Sequence, residues 1–147
     1  MTSTINTGRV IQGGLLAGFV INAISMLNNS MIVGKKIMEA QQAGQFLQQP
    51  RFAFMPAWLI MMFLVGIGLV WLYAAVRTRL GPGPGTALTV GIIVGLLAGV
   101  PENVAAAAWG TSGRYLPFMW TLERVVSYAI GTLVGAWWYK EAGQPGA

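Results

Sequence analysis

The chain lacks cysteine and histidine altogether, and it has few charged residues of either sign. The two missing residue types exclude disulfide bonds, thiolate chemistry, iron–sulfur clusters, histidine-ligated haem and ordinary zinc sites. The 4 acidic residues are too few to build a metal site from carboxylates alone. The sequence therefore predicts neither a metal site nor a cofactor.

The chain also has too little charge for a domain that folds in water. Charged residues make up 9% of the sequence, against about 25% in soluble domains, and hydrophobic residues make up 55%. The net charge of +5 is compatible with nucleic-acid binding, but most basic residues stand at the ends of apolar stretches. In those places they anchor helices at lipid headgroups. We therefore expect a protein whose partner is membrane lipid and which binds no nucleic acid.

The long hydrophobic runs are what the sequence does contain. Each run has about 20 residues or slightly more, which is enough for a helix to cross a hydrocarbon core of roughly 30 Å. The pattern predicts an all-α fold, a transmembrane four-helix bundle with antiparallel, up-down neighbours and both termini on the same side. The chain forms one membrane domain, residues 1–147, whose predicted spans are residues 10–29, 55–76, 86–109 and 117–139.

Two connections between the runs carry distinct signals. Residues 30–51 place apolar residues at roughly helical spacing among lysines and glutamines. This pattern predicts an interfacial amphipathic helix or a continuation of the first helix, and a docking surface for a partner is a third alternative. Residues 81–85 read Gly-Pro-Gly-Pro-Gly, which forbids a helix and predicts a tight antiparallel return.

Glycines recur every four residues on three of the predicted spans. This spacing makes a smooth stripe on a helix, along which a neighbouring backbone can approach closely. One bundle does not have to use every such stripe internally, so the free stripes would bind further copies of the chain or larger membrane subunits. The alternative is that all of them pack within the bundle. The predicted helix-packing residues are Gly14, Gly18, Gly91, Gly95, Gly99, Gly131 and Gly135.

A few polar residues interrupt the apolar runs at matching depth. Glu102 precedes Trp109 by 7 residues, and Glu123 follows Pro117 by 6. Both acids then lie about 10 Å inside neighbouring antiparallel helices. We predict an ion pair between Glu102 and Arg124, with Pro101 weakening the helix ladder around Leu97 and freeing a carbonyl as an acceptor. The candidate intramembrane polar layer consists of Asn22, Glu102, Asn103, Glu123 and Arg124.

This layer has three interpretations. It is a hydrogen-bonded clasp that fixes helix register, or a site where one glutamate binds a proton for a small transporter, or a contact with lipid headgroups or a partner. The chain offers no pair of nucleophile and base and no glycine loop suited to phosphate, so we predict no catalytic residue and no enzyme activity.

Three stretches of the chain are similar to known proteins. They are Gly8 to Asn22, Val70 to Ala87 and Thr132 to Glu141, and the most specific part is the turn sequence YAAVRTRLGPGP from Tyr73 to Pro84. Together they resemble small four-span bacterial membrane proteins of uncharacterised function. The resemblance implies a location in the bacterial cytoplasmic (inner) membrane and transfers no functional residue.

Basic residues divide evenly between the two predicted membrane faces, so their total does not decide the orientation. Arg77 and Arg79 lie next to a short loop, where positive charge has most influence, and this favours cytoplasmic termini. The function expected from these observations is a non-catalytic accessory, structural or assembly subunit, in a homo-oligomer or a larger membrane-protein complex. The alternative is a proton-coupled transporter of a small molecule or ion that uses the polar layer.

Overall fold

The computed structural model describes residues 5–140, and within this range the chain is helical with no β-strand. The all-α prediction is therefore confirmed. α1 ends in one π-helical segment, a short α2 follows it, and three long helices complete the fold. The bounds are α1 Thr7–Leu27, the π-helix Asn28–Ile32, α2 Gly34–Gln42, α3 Phe54–Leu80, α4 Pro84–Trp109 and α5 Tyr115–Trp138.

Three helical stretches are long and apolar enough to cross a membrane. They are Thr7–Ile32, Phe54–Leu80 and Pro84–Trp109, each slightly longer than its predicted span. The fourth predicted span corresponds to α5, whose 24 residues extend about 36 Å. α5 is less apolar than the other three, because Glu123, Arg124 and several hydroxyl side chains interrupt its sequence. The protein is therefore a helical membrane protein with three candidate spans.

The long helices pack in an order that differs from their order in the chain. α1 packs against α3 on one side and against α5 on the other, and α4 packs mainly against α5. α3 and α4 are joined by a tight turn but contact each other less extensively. The resulting order around the bundle is α3, α1, α5, α4, so α1 and α5 form its centre.

α2 folds back onto the bundle by its apolar side. Val33 and Ala40 form a small core with Leu116 at the start of α5, and Phe46 and Trp120 pack against it. A bend at Val33 separates α2 from the π-helix, so α2 is a separate short helix and not a continuation of α1.

All seven glycines predicted to mediate helix packing contact another helix of the same chain. A Cβ at Gly18 would lie 2.7 Å from Phe63 Cα, and one at Gly91 would lie 2.6 Å from Ala129 Cα. Gly14 likewise faces α3, Gly95 and Gly99 face α5, and Gly131 and Gly135 face α1. The glycine stripes are thus used inside the bundle, and they do not supply a free surface for a partner.

Gly66 on α3 is a packing glycine that sequence reasoning missed. A Cβ there would contact the carbonyl oxygen of Gly14 and the amide nitrogen of Gly18, so the backbones of α1 and α3 touch at this point. α3 has no second glycine four residues away, and the spacing that marks the other stripes is therefore absent. Only the crossing of the two helices identifies this residue.

The tight return between α3 and α4 depends on two glycines in left-handed conformations. Gly81 has a φ of 86° and Gly83 a φ of 141°. The Tyr73 hydroxyl accepts a hydrogen bond from the Gly83 amide at 3.2 Å, and Thr86 Oγ1 donates to the Gly81 carbonyl at 2.7 Å. These bonds let α3 continue to Leu80 and α4 begin at Pro84, so the loop is shorter than predicted.

We expect Gly81→Ala to lower the free energy of unfolding by about 1 to 2 kcal/mol, because a Cβ is disfavoured at a left-handed φ. Gly85→Ala is the matched control, since Gly85 is helical and a Cβ there meets no atom within 4 Å. Denaturant unfolding in detergent micelles measures both variants. Equal stability of the two variants would contradict this account of the turn.

Candidate functional site at the contacts of α5

The main ionic contact joins α4 and α5. Arg124 Nη1 lies 2.7 Å from Glu102 Oε2 and also donates to the Ala98 carbonyl at 3.0 Å. The two ends of the pair differ in burial, because the Arg124 side chain is 15% exposed and the Glu102 side chain 68% exposed. The guanidinium therefore lies against the helices, while the carboxylate projects from the outer surface of α4.

The carbonyl that Arg124 uses belongs to Ala98, next to Leu97 in the stretch where Pro101 was expected to free an acceptor. Pro101 has no N–H to bond the Leu97 carbonyl. Leu97 is 70% exposed on the outer side of α4, away from α5. Ala98 lies next to Gly95 and Gly99 on the side that faces α5, and its carbonyl is the one within reach.

Glu123 makes a different contact, on the side of α5 that faces α1. The Ser25 hydroxyl donates to Glu123 Oε1 at 2.7 Å. The other carboxylate oxygen of Glu123 has no hydrogen bond within the described part of the chain. Consecutive helical residues project about 100° apart, and this is why Glu123 and Arg124 reach two different neighbouring helices.

The two asparagines of the predicted layer join neither acid. Asn22 Nδ2 donates to the Leu59 carbonyl of α3 at 3.4 Å, and Asn103 Nδ2 donates to the Gly99 carbonyl of its own helix at 2.9 Å. The predicted layer is therefore distributed over four separate contacts: three join helices, namely α4 with α5, α1 with α5, and α1 with α3, and the fourth, made by Asn103, lies within α4.

Ser25 is the polar contact that the candidate layer omitted. It lies one helical turn after Asn22 on the same face of α1, and this spacing was the available signal. A second contact between the same helices lies further along, where Trp120 Nε1 donates to Asn29 Oδ1 at 3.2 Å. Sequence reasoning had no means to choose among the polar side chains on this face of α1.

One ion pair lies outside the long helices, on the exposed surface of α2. Lys36 Nζ lies 2.7 Å from Glu39 Oε2. The hydrogen bond from Lys36 and its positive charge lower the pKa of the Glu39 carboxyl. The same hydrogen bond and the negative charge of Glu39 raise the pKa of the Lys36 ammonium. A lowered pKa means that the pair stabilises α2 above the unfolded-state pKa of Glu39, and that this stabilisation is lost as the pH falls through the folded-state value.

We expect Lys36→Gln to raise the pKa of Glu39, because both the hydrogen-bonding cation and its positive charge are removed. A ¹³C NMR titration of the Glu39 carboxyl measures this shift. Lys35→Gln is the matched control. The charge of Lys35 has a smaller effect on the pKa of Glu39 than Lys36 has, so this substitution should leave that pKa nearly unchanged. An unchanged Glu39 pKa in Lys36→Gln would show that the ion pair does not persist in solution.

Comparison of the sequence with models of protein families, with curated proteins and with solved structures finds no match. The residues that bear on function are therefore those of the polar contacts above and of the outer surface of the bundle.

Proposed function

We propose that the protein is a non-catalytic accessory or assembly subunit of a membrane complex, and that the outer surface of α4 around Glu102 binds a helix of the partner. A single observation carries this proposal. The Glu102 side chain is 68% exposed on a helix surface that is otherwise apolar.

The residues around Glu102 define this surface. Leu97 is 70% exposed and Val104 is 61% exposed, so Glu102 stands among side chains suited to lipid or to another apolar helix. A charged side chain within a membrane span costs about 2.5 to 3.5 kcal/mol at the helix centre. Arg124 offsets part of this cost, and a polar side chain on an adjacent helix would offset more by donating to the outward carboxylate. The partner is then a second copy or a larger subunit that presents a hydrogen-bond donor at this depth.

The proposal includes a fourth span and an orientation. α5 packs against both α1 and α4, which are candidate spans, and this packing supports α5 as a fourth span. Arg77 Cζ lies 5.7 Å from the centre of the Tyr73 ring and 5.2 Å from that of the Tyr139 ring. Tyr73 belongs to α3 and Tyr139 follows α5, and clustered aromatic and basic groups are typical of helix ends at a membrane interface, which supports the same arrangement. We propose that both termini are cytoplasmic, in the cytoplasmic membrane of a bacterium.

Single-cysteine labelling tests this topology directly, since the natural chain has 0 cysteines. We expect Ser112→Cys to react with a membrane-impermeant maleimide from outside the cell. Thr78→Cys and Lys140→Cys should react only after the membrane is opened. Labelling of Ser112 and Lys140 from the same side would exclude α5 as a span.

Site-specific photocrosslinking tests the partner surface. A photoreactive residue at Val104 should crosslink a stoichiometric protein, either a second copy or another subunit, that mass spectrometry identifies. Leu64 on α3 is the matched control position, because it is 63% exposed while Val104 is 61% exposed. Glu102→Gln should weaken the Val104 crosslink without lowering the amount of folded protein. Crosslinks to lipid alone at both positions would overturn the proposal.

A second function is favoured by one observation, the neutral partner of Glu123. Glu102 is paired with Arg124, while Glu123 has the Ser25 hydroxyl and no cation as its hydrogen-bond partner. A carboxylate with this partner suits a proton-coupled transporter. In proteoliposomes, such a transporter would lose pH-dependent flux in Glu123→Gln while remaining folded. A purely structural role predicts lower stability in detergent and no flux in either protein.

A further inference from the structure

A groove opens on the bundle surface between the end of α1 and the first half of α5. Its volume is about 240 Å³. Most of its wall is apolar and is formed by Ile24, Leu27, Ile32, Met119, Leu122 and Val126. The groove is distinct from the surface around Glu102, which lies on the other side of α5.

Two polar side chains, Asn28 and Glu123, complete the wall. Asn28 is only 4% exposed, and its Nδ2 has no hydrogen-bond partner within residues 5–140. An unpaired buried donor is destabilising, so a ligand that accepts from it is favoured. Glu123 uses Oε1 to accept from Ser25 and has a second oxygen available. The groove therefore combines an apolar wall with one unsatisfied donor and one available acceptor.

The position of Asn28 depends on the π-helix that it begins. The Val33 amide bonds to the Asn28 carbonyl at 2.9 Å, across five residues instead of four. Asn29 Nδ2 and Ser30 Oγ bond to the carbonyls of Ser25 and Met26 at 2.9 and 2.7 Å, which draws these acceptors away from the regular backbone pattern. Such π-helical turns occur frequently at functional sites.

We propose that this groove binds a small lipid-soluble molecule that carries a hydroxyl group on an apolar body, of the size of an alkylphenol. The hydroxyl oxygen accepts from Asn28 Nδ2, and its hydrogen is donated to Glu123. A hydroxyl is the smallest group that supplies one donor together with an acceptor. A cavity of about 150 Å³ holds benzene, so this groove has room for a substituted ring.

Other head groups fit these two side chains less well. An ammonium group has no acceptor for Asn28 Nδ2, and an ether has no donor for Glu123. A plain hydrocarbon would leave Asn28 Nδ2 and the second carboxylate oxygen of Glu123 without a partner. The hydroxyl therefore distinguishes this site from a surface that merely accommodates lipid acyl chains.

Equilibrium dialysis against the full-length protein in lipid nanodiscs tests the proposal, with empty nanodiscs subtracted. The probes are 4-propylphenol, its methyl ether 4-propylanisole and the cation 4-propylbenzylamine. We expect saturable binding of the phenol, about tenfold tighter than that of the ether, because the ether loses a hydrogen bond to a charged acceptor.

Two variants test the assigned residues. Asn28→Leu should remove the preference for phenol over ether while leaving the protein at least as stable, because it replaces a donor that has no partner. Glu123→Leu should also remove it, because a leucine side chain has no acceptor for the hydroxyl hydrogen. Glu39→Leu is the matched control on α2, outside the groove, and should keep the preference.

Three results would overturn the proposal. They are equal affinity of the wild-type protein for phenol and ether, no saturable binding above that of empty nanodiscs, and tighter binding of 4-propylbenzylamine than of the phenol. Loss of the preference in Glu39→Leu would equally show that the groove does not recognise the hydroxyl through Asn28 and Glu123.

Discussion

Replacing Gly66 with alanine is expected to destabilise the bundle by about 3 kcal/mol, the upper end of the usual range for overpacking in a core. The added Cβ would meet the Gly14 carbonyl oxygen and the Gly18 amide nitrogen, and it would lie 2.8 Å from Gly18 Cα. These are backbone atoms inside α1, so no side-chain rotation relieves the clash and the two helices must separate. Denaturant unfolding in micelles, followed by tryptophan fluorescence, measures the loss.

Gly68→Ala is the control for this prediction. Gly68 lies on the same helix, and a Cβ there meets no atom within 4 Å. A substitution in open space should change the unfolding free energy by no more than about 0.5 kcal/mol. If Gly66→Ala is as stable as Gly68→Ala, then α1 and α3 do not cross with their backbones in contact, and the described order of the helices is wrong.

The second large effect is expected from Arg124→Gln. Glu102 would then lie on an apolar helix surface without the cation that lies 2.7 Å from it. We expect a loss of roughly 2 to 3 kcal/mol, comparable to the cost of a charged side chain within a span. Glu102→Gln should have a smaller effect, because Arg124 keeps its hydrogen bond to the Ala98 carbonyl.

The double variant Glu102→Gln with Arg124→Gln separates the two causes of this loss. Removal of both charges should restore most of the stability that Arg124→Gln loses, because neutral amides have no uncompensated charge. Unfolding free energies of the four proteins give the coupling between the residues. If the double variant is no more stable than Arg124→Gln, then the bond to Ala98 is what stabilises the contact, and the ion pair contributes little.

The polar contacts show how far residue spacing can go toward predicting a site. Counting residues from the loop between α4 and α5 brought Glu102 and Arg124 together, because a short connection fixes the depth of two antiparallel neighbours. Depth along a helix does not determine direction around it. Asn22 and Asn103 therefore entered the same candidate layer, although one bonds to α3 and the other to its own helix.

The surface proposed to bind a partner differs from the one expected from the glycine stripes, again because spacing along a helix does not show which faces are covered. Glycine spacing identified faces suited to close packing, but it could not tell which of them would be covered within the chain. The structure covers all seven of the predicted glycines, and it leaves Glu102 projecting from α4 instead. The surface available to a partner is therefore the one around the exposed Glu102 carboxylate and not the glycine stripes.

The helical class, the membrane as solvent and a tight return beginning at Gly81 follow from the sequence, although the loop ends at Gly83 and not at Gly85. These follow from apolar length, low charge and backbone chemistry, which act locally along the chain. Three further features emerge from the packing of the helices: α1 and α5 form the centre of the bundle, Gly66 lies at a backbone contact, and Asn28 and Glu123 share one groove. Each of these depends on the rotation and crossing of separate helices, and many small packing contacts that no single stretch of sequence contains determine these angles.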